Sequence, residues 1–241
     1  MKTITDNADW TVVTRESILK ERIRIMDTKD QTRLSSFFAQ YPLKRFSKGE
    51  VILRPDDDLT GAVFVVEGQV IQYDITDQGA EMIVDVFRPN AVLPLDWLIN
   101  AKPNQYFYEA FRETTVRIAP VENFARFLDE SPSIVYGLLS RSLWAMGVMQ
   151  RRMAHLMSGV SINRVMFELI TQCKRFGVAH SDGSYELDLH EDELARRAGL
   201  TRETVNRELG KLKDRQLVSV SHKCLMIKNL SGLEKLLNSH L

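Results

Sequence analysis

Four polar side chains between residues 202 and 207 are of the types that bond to nucleic-acid bases. They are Arg202, Glu203, Asn206 and Arg207, within the run TRETVNR. Arginine can donate two hydrogen bonds to guanine, glutamate can accept one from cytosine N4, and asparagine can pair with adenine. At about 100° per helical residue the four side chains span an arc of roughly 140°. This spacing predicts one helix face that reads the major groove of DNA.

The residues around this face predict the elements that would position it. Thr201 is a helix N-cap residue. Gly199 falls in the preceding turn, where a positive φ costs glycine nothing. Apolar residues then recur at i, i+4 and i+7: Val205, Leu209 and Leu212. Two helices joined by this turn are flanked by a predicted helix (165–176), a strand (185–189), a hairpin (217–220 and 224–227) and a last helix (233–237). This order is typical of a winged helix-turn-helix.

Positive charge is concentrated in the same region, although the whole chain has a net charge of zero. Residues 196–223 hold eight basic side chains against three acidic ones. Such a local basic patch is typical of a DNA-contacting surface. Four residues are predicted to contact the DNA backbone: Thr201, Thr204, Lys211 and Lys223. Glu203 and Arg207 also have the spacing of an ordinary helix pair worth about 0.2–0.5 kcal/mol, and both roles are compatible.

A long apolar stripe precedes this region. Steps of four and three residues from position 135 give eight positions, of which seven are apolar and only Ser142 is polar. The apolar members are Val135, Leu139, Met146, Met149, Met153, Leu156 and Val160. A heptad stripe of this length predicts a two-stranded coiled coil between two copies of the chain over residues 131–160. The alternative is that the stripe packs only on its own domain.

Short β-prone runs separated by turn residues fill the first half of the chain. They lie at 51–53, 62–66, 69–75, 82–87, 107–111 and 115–119, with a helix predicted before them over 15–40. This spacing favours an antiparallel sandwich or roll. The fold class is therefore α+β, with residues 1–30 as an extension of unknown role. Residues 31–130 would form the β-roll, 131–160 the dimerisation helix and 161–241 the winged domain.

Several classes of protein are disfavoured by what the sequence lacks. It contains two cysteines, Cys173 and Cys224, and no CxxC, HExxH, P-loop or GxSxG motif. We therefore expect no enzyme, no metal site and no cofactor. His155 is expected on the helix surface. No stretch approaches the roughly 20 apolar residues of a membrane span, and the first residues lack a signal-peptide pattern. We expect a cytoplasmic protein with no membrane partner.

At the run TRETVNR the chain resembles the CRP/FNR family of bacterial transcription regulators, named for the cyclic-AMP receptor and the fumarate-nitrate regulator. Arg202, Glu203 and Arg207 stand at the three base-reading positions of the receptor's recognition helix. The resemblance extends over about residues 33–230. Residues 48–50, 63–70 and 79–83 look like the glycine-marked strands of a cyclic-nucleotide-binding β-roll, and the apolar stripe matches the family's dimerisation helix.

The chain departs from this family at the effector site. Nucleotide-binding members hold the cyclic phosphate with a Gly-Glu pair and an Arg-Ser pair, whereas here the matching stretches read VLPLDW (92–97) and YFYE (106–109). A Thr-Ser pair that contacts the base is matched by Met149 and Gln150. The cysteine cluster of the iron–sulfur members is absent. The resemblance therefore implies a regulator that is not controlled by cyclic AMP.

The residues that line the matching pocket are apolar and aromatic. They are Leu93, Leu95, Trp97, Phe107 and Met149. Either a hydrophobic effector binds there or the roll is filled and binds none, and we favour the filled core.

Together these features predict a sequence-specific transcription regulator that acts as a homodimer on an inverted-repeat operator with TGTGA-like half-sites. Its partners would be double-stranded DNA and RNA polymerase, and its small-molecule effector is unidentified. The alternative is a ligand-sensing or protein-interaction module with little specific DNA binding.

Overall fold

The chain forms an α+β structure with an N-terminal β-roll, a long helix and a C-terminal winged helix-turn-helix, as the sequence predicts. A computed structural model describes residues 26–58, 60–77, 79–100, 103–220 and 224–239. The predicted helix over 15–40 is observed from Thr28, and residues 15–25 lie outside the described part, as does most of the 1–30 extension. None of the described helices is long and apolar enough to cross a bilayer.

The described residues form eight helices and twelve strands. The helices are α1 (Thr28–Ala39), α2 (Leu95–Asn100), α3 (Val121–Asp129), α4 (Pro132–Met157), α5 (Ser161–Phe176), α6 (Glu191–Ala198), α7 (Arg202–Asp214) and α8 (Leu230–Asn238). The strands are β1 (Leu43–Phe46), β2 (Val51–Leu53), β3 (Ala62–Glu67), β4 (Val70–Ile75), β5 (Glu81–Phe87), β6 (Val92–Leu93), β7 (Phe107–Ala110), β8 (Thr114–Ala119), β9 (Val178–Ala179), β10 (Tyr185–Leu187), β11 (Val218–Val220) and β12 (Leu225–Ile227).

The first eight strands build two antiparallel four-stranded sheets, ordered β1-β8-β3-β6 and β2-β7-β4-β5. One buried cluster contains residues of both sheets, including Val63, Val116, Val70 and Tyr108. Gly68 makes the tight β3–β4 turn, with φ of +88°. A Cβ at that position would lie 2.3 Å from the carbonyl oxygen of Glu113, so only glycine fits.

Helix α4 packs one face along both halves of the molecule. Ile134 and Leu138 join a cluster with Phe38 and Phe64 of the β-roll, whereas Val148 joins the core of the winged domain. This face of α4 thus contributes to the cores of both domains. It is buried within the single chain, without a second copy.

The winged domain packs α5, α7 and α8 around one apolar core, beside a four-stranded sheet ordered β11-β12-β10-β9. Helix α5 supplies more of the buried core side chains than any other element and begins at Ser161, four residues before the predicted start. Helix α8 begins at Leu230, earlier than predicted, because the Asn229 side chain caps it by accepting from the Gly232 N–H at 2.8 Å.

Among the described residues, three ion pairs join the β-roll to the winged domain. Arg196 of α6 bonds Glu81 of β5 at 2.9 Å, and Arg175 of α5 bonds Asp85 of β5 at 2.7 Å. The third pair, at 2.6 Å, links Arg112 with Asp188. The Arg175–Asp85 pair is mostly shielded from water, so it is screened less than the other two.

The predicted strands of the roll are correct to within one residue at each end. Five elements were not predicted from the sequence: β1, β6, α2, α3 and β9. In β1 only Phe46 is buried, so this strand lacks the alternation of buried and exposed side chains that predicts a strand. Helix α2 has no buried residue, and its formation follows from neighbouring structure more than from an apolar periodicity.

Candidate nucleic-acid interface

Helices α6 and α7 form the helix-turn-helix, and the turn between them has the geometry that the sequence predicts. Gly199 ends α6 in the left-handed conformation with φ of +60°. Thr201 caps α7 by accepting from the Thr204 N–H at 3.3 Å. The predicted stripe of Val205, Leu209 and Leu212 is fully buried in the winged-domain core. The opposite face of α7 is therefore exposed.

The four predicted base-reading side chains lie together on this exposed face: Arg202, Glu203, Asn206 and Arg207. The predicted backbone contacts Thr201 and Lys211 are exposed beside them and Thr204 is partly buried. Lys223 lies outside the described residues. The structure therefore gathers the four side chains on one face, with Arg202 and Arg207 at its two edges.

Acidic side chains of α6 hold two of the reading residues. Arg202 lies 3.4 Å from Asp192 and 3.7 Å from Glu191. The hydrogen-bonding environment of Asn206 turns its amide nitrogen towards Glu191, at 3.0 Å. Both predicted base-reading side chains thus lie beside carboxylates that belong to the first helix of the motif.

Arg207 does not form the helix pair with Glu203 that the sequence allowed. Its guanidinium bonds Glu208 instead, with Nη2 at 3.2 Å from Oε1. The Glu203 carboxyl group instead bonds near the start of the helix. Hydrogen bonds from its own backbone N–H and from the Thr201 hydroxyl lower its pKa. Glu208 was not predicted from the sequence as a functional residue. A charged residue on the otherwise apolar stripe of Val205, Leu209 and Leu212 is the signal that could have identified it.

The basic patch is smaller than its eight residues suggest. Arg197 is fully buried and bonds Glu193, with Nε at 3.0 Å from Oε1. Arg196 faces the β-roll, where it pairs with Glu81 and lies over the Phe111 ring. Neither side chain can belong to an open DNA-contacting surface in this arrangement. Helical spacing alone could not reveal this, because the partners come from the fold.

The predicted dimer stripe lies on the exposed face of α4 except for Val160, because this helix ends at Met157 and not at residue 160 as predicted. Six of its seven apolar members are exposed: Val135, Leu139, Met146, Met149, Met153 and Val160. Leu156 is partly buried. Three further exposed apolar side chains widen this face: Tyr136, Leu143 and Met157. The stripe therefore does not pack on its own domain.

His155, expected on the helix surface, is buried against Phe167, with ring centroids 4.9 Å apart. That expectation was wrong, because α5 folds back over this side of α4. Burial, assisted by Arg151, lowers the pKa of the His155 imidazole despite the nearby Glu168 carboxylate.

The five residues predicted to line an effector pocket lie in different surroundings. Leu93 belongs to the cluster between the two sheets, and Leu95 packs with the helices outside them. Phe107 packs in a third cluster and stacks on Tyr73. Met149 is exposed on α4, and Trp97 is partly buried on α2. The structure thus distributes three of the five among separate clusters.

Replacing Thr201 with alanine is expected to lower the free energy of unfolding by about 1 kcal/mol, because the Thr204 N–H loses its cap. Urea denaturation would measure the change. Thr201→Ser keeps the hydroxyl and should unfold like the wild type. Equal midpoints for the alanine variant and the wild type would contradict the capping role.

Two families of known domains match the chain. A Crp-like helix-turn-helix domain matches residues 157–236, and a cyclic nucleotide-binding domain matches residues 43–131. The global nitrogen regulator of Synechocystis sp. is 29% identical over 210 residues, which is 84% of this chain and 92% of that protein.

Solved structures share the fold. A CRP/FNR-family transcriptional regulator from Thermus thermophilus superposes with a TM-score of 0.65 at 23% identity, over 83% of this chain and 100% of the other. A CooA mutant from Carboxydothermus hydrogenoformans gives a TM-score of 0.72 at 18% identity, over 84% and 90% of the two chains.

Proposed function

Because the chain belongs to the CRP/FNR family of transcription regulators, we propose that it acts as a homodimer on an inverted-repeat operator. The observation that carries the proposal is the exposed face of α7, where Arg202 and Arg207 project while the opposite stripe is buried. Thr201, Thr204, Lys211 and Lys223 would bond the phosphates around it. RNA polymerase is the proposed protein partner, and the cytoplasm the place of action.

The operator follows from symmetry and side-chain chemistry. Two-fold symmetry sets two recognition helices about one DNA turn apart, so half-site centres lie about 10–10.5 base pairs apart. Arg202 and Arg207 would read guanines, and Glu203 would accept from a cytosine on the other strand. The resemblance of this set to the recognition helix of the cyclic-AMP receptor implies TGTGA-like half-sites. Asn206 would add an adenine contact.

Selection of bound sequences from random DNA tests this function directly. The expected product is an inverted repeat with the spacing given above, and an added cell extract would supply any effector. Enrichment of a single unrepeated site would contradict the dimeric arrangement. Enrichment of no sequence at all would instead favour the ligand-sensing or protein-interaction module.

The homodimer is supported by the exposed face of α4. Seven of eight heptad positions are apolar, and six of those seven are exposed in the single chain. A contiguous apolar stripe of this length is unusual on a monomer surface. We assign its occupant as the same stripe of a second copy in parallel, because the heptad spacing suits knobs-into-holes packing between identical helices. Residues 131–160 would form the dimerisation segment, with its helix over Pro132–Met157, between a sensor-like domain (31–130) and the DNA-binding domain (161–241).

Cyclic AMP is expected to bind weakly or not at all. Residues 92–97 and 106–109 offer no arginine to pair its phosphate, and Leu93 and Tyr108 fill the space between the sheets. The missing charge-assisted bonds are worth about 1.5–3 kcal/mol each. Calorimetry of the DNA-binding-competent dimer should detect no binding at micromolar nucleotide. A micromolar or tighter dissociation constant would contradict this expectation.

A further inference from the structure

Glu208 occupies a position of α7 where the helical pattern calls for an apolar residue. It follows Val205 by three residues and precedes Leu212 by four, on the stripe that packs into the core. Its side chain is 1% exposed. Moving a carboxylate out of water is costly unless its oxygens are bonded. The carboxylate can remain charged inside the domain only because neighbouring side chains form hydrogen bonds and ion pairs with it.

Three side chains bond the Glu208 carboxylate, and together they use both oxygens. Ser161 Oγ donates to Oε1 at 2.8 Å, and Lys211 Nζ lies 2.6 Å from Oε2. The Arg207 guanidinium donates to Oε1 from Nε at 3.3 Å and from Nη2 at 3.2 Å. Burial pushes the pKa of Glu208 upwards, but the bonds from Lys211, Ser161 and Arg207 outweigh it and the pKa is lowered. The group is therefore a fixed anion.

The contact with Arg207 fixes one edge of its guanidinium and leaves the rest free. The Arg207 side chain is 62% exposed, whereas the carboxylate that holds it is buried. A guanidinium presents five N–H donors in a rigid fork, so donors remain for a base edge after Glu208 is bonded. Holding a long side chain in its bound orientation beforehand reduces the entropy cost of binding.

We propose that Glu208 is a positioning residue that aims Arg207 at its base and so sets the specificity at one base pair of each half-site. Ser161, the first residue of α5, braces the carboxylate from an element that follows the long helix α4. The aim of Arg207 therefore depends on how α5 packs against α7. This inference rests on the base reading proposed above.

The test compares base discrimination, not affinity alone, in three variants. Binding is measured for the operator and for every single-base variant of its half-site. In Glu208→Leu we expect discrimination at the Arg207 base pair to fall roughly 2- to 10-fold per half-site, the range for releasing one immobilised side chain. Discrimination at the other base pairs should stay unchanged. In Glu208→Gln, which keeps one acceptor oxygen but no charge, the loss should be smaller and at the same base pair.

Glu193→Gln is the matched control, because Glu193 is another buried carboxylate of the same domain and bonds only Arg197 among the described side chains. Its variant should lose stability without changing base discrimination. Thermal unfolding of all three proteins separates a general loss of stability from a change at one base pair. If Glu208→Leu does not fold, Glu208→Gln decides the question by the same readout.

Two results would overturn the proposal. One is unchanged or stronger discrimination at the Arg207 base pair in the Glu208 variants, while Arg207→Ala abolishes it; Glu208 would then be structural and the base reading would stand. The other is an Arg207→Ala protein with full base preference, which would remove the base reading itself and this inference with it.

Discussion

Replacing Arg207 with alanine is expected to abolish the preference for one base pair of each half-site, at a cost of roughly 1–3 kcal/mol per half-site. A dimer carries two copies of α7, so the loss on a symmetric operator is counted twice. Affinity should then fall by about 30-fold at the lower limit and about 20,000-fold at the upper. Arg202→Ala should give a loss of the same size at a different base pair.

This large loss of affinity is expected because Arg207 is exposed and already oriented. Glu208 holds its guanidinium on one side, and the free donors point away from a rigid, well-packed helix. A base that cannot accept these donors leaves them unbonded in a closed interface, where an unmade hydrogen bond costs more than in water.

The control for base reading is Lys223, which is proposed to bond only phosphate. Lys223→Ala should weaken binding to every sequence alike and flatten the salt dependence by about one unit of slope for each phosphate that is no longer neutralised. Lys211→Ala should weaken binding to every sequence as well, but it also removes a partner of Glu208 and should reduce discrimination at the Arg207 base pair. Titrations on single-base operator variants at several salt concentrations separate the two effects. If Arg207→Ala lowers affinity equally on every variant, the arginine bonds only phosphate and its assignment is wrong.

A lysine at Met149 is expected to convert the dimer into a monomer at micromolar concentration. Met149 lies at the middle of the exposed stripe and is 44% exposed in the single chain. In a parallel pair the two lysines would face each other across the symmetry axis, so like charges would be brought together in an apolar seam. DNA affinity should fall by roughly 10²- to 10⁴-fold, because the second half-site is no longer tethered to the first.

Ala125→Lys is the matched control, since it adds the same charge at an exposed position of α3, away from the stripe. It should remain dimeric and bind the operator like the wild type. Sedimentation gives the oligomeric state of both proteins, and operator titration gives their affinities. A Met149→Lys protein that sediments with the mass of the wild type would exclude this stripe as the dimer interface.

The sequence by itself determined which residues share a surface. Val205, Leu209 and Leu212 are buried and Arg202 and Arg207 are exposed as helical spacing predicts, because the geometry of an α-helix is local. The Gly199 turn and the Thr201 cap were readable for the same reason, since each depends on a few neighbouring residues. The strands of the roll follow from alternation and turn residues, and the exposed stripe of α4 from its heptads.

Only the tertiary structure decided which charged groups meet. Arg196 pairs with a carboxylate 115 residues away, and Ser161 reaches Glu208 over 47 residues of sequence. Arg197 is counted as positive surface in the sequence but is buried beside Glu193. Periodicity assigns a residue to a face, but the partner of a charge depends on which element packs alongside. The Ser161 bond to Glu208, behind Arg207, is therefore a property of how α5 and α7 pack together, and no spacing within α7 could reveal that bond.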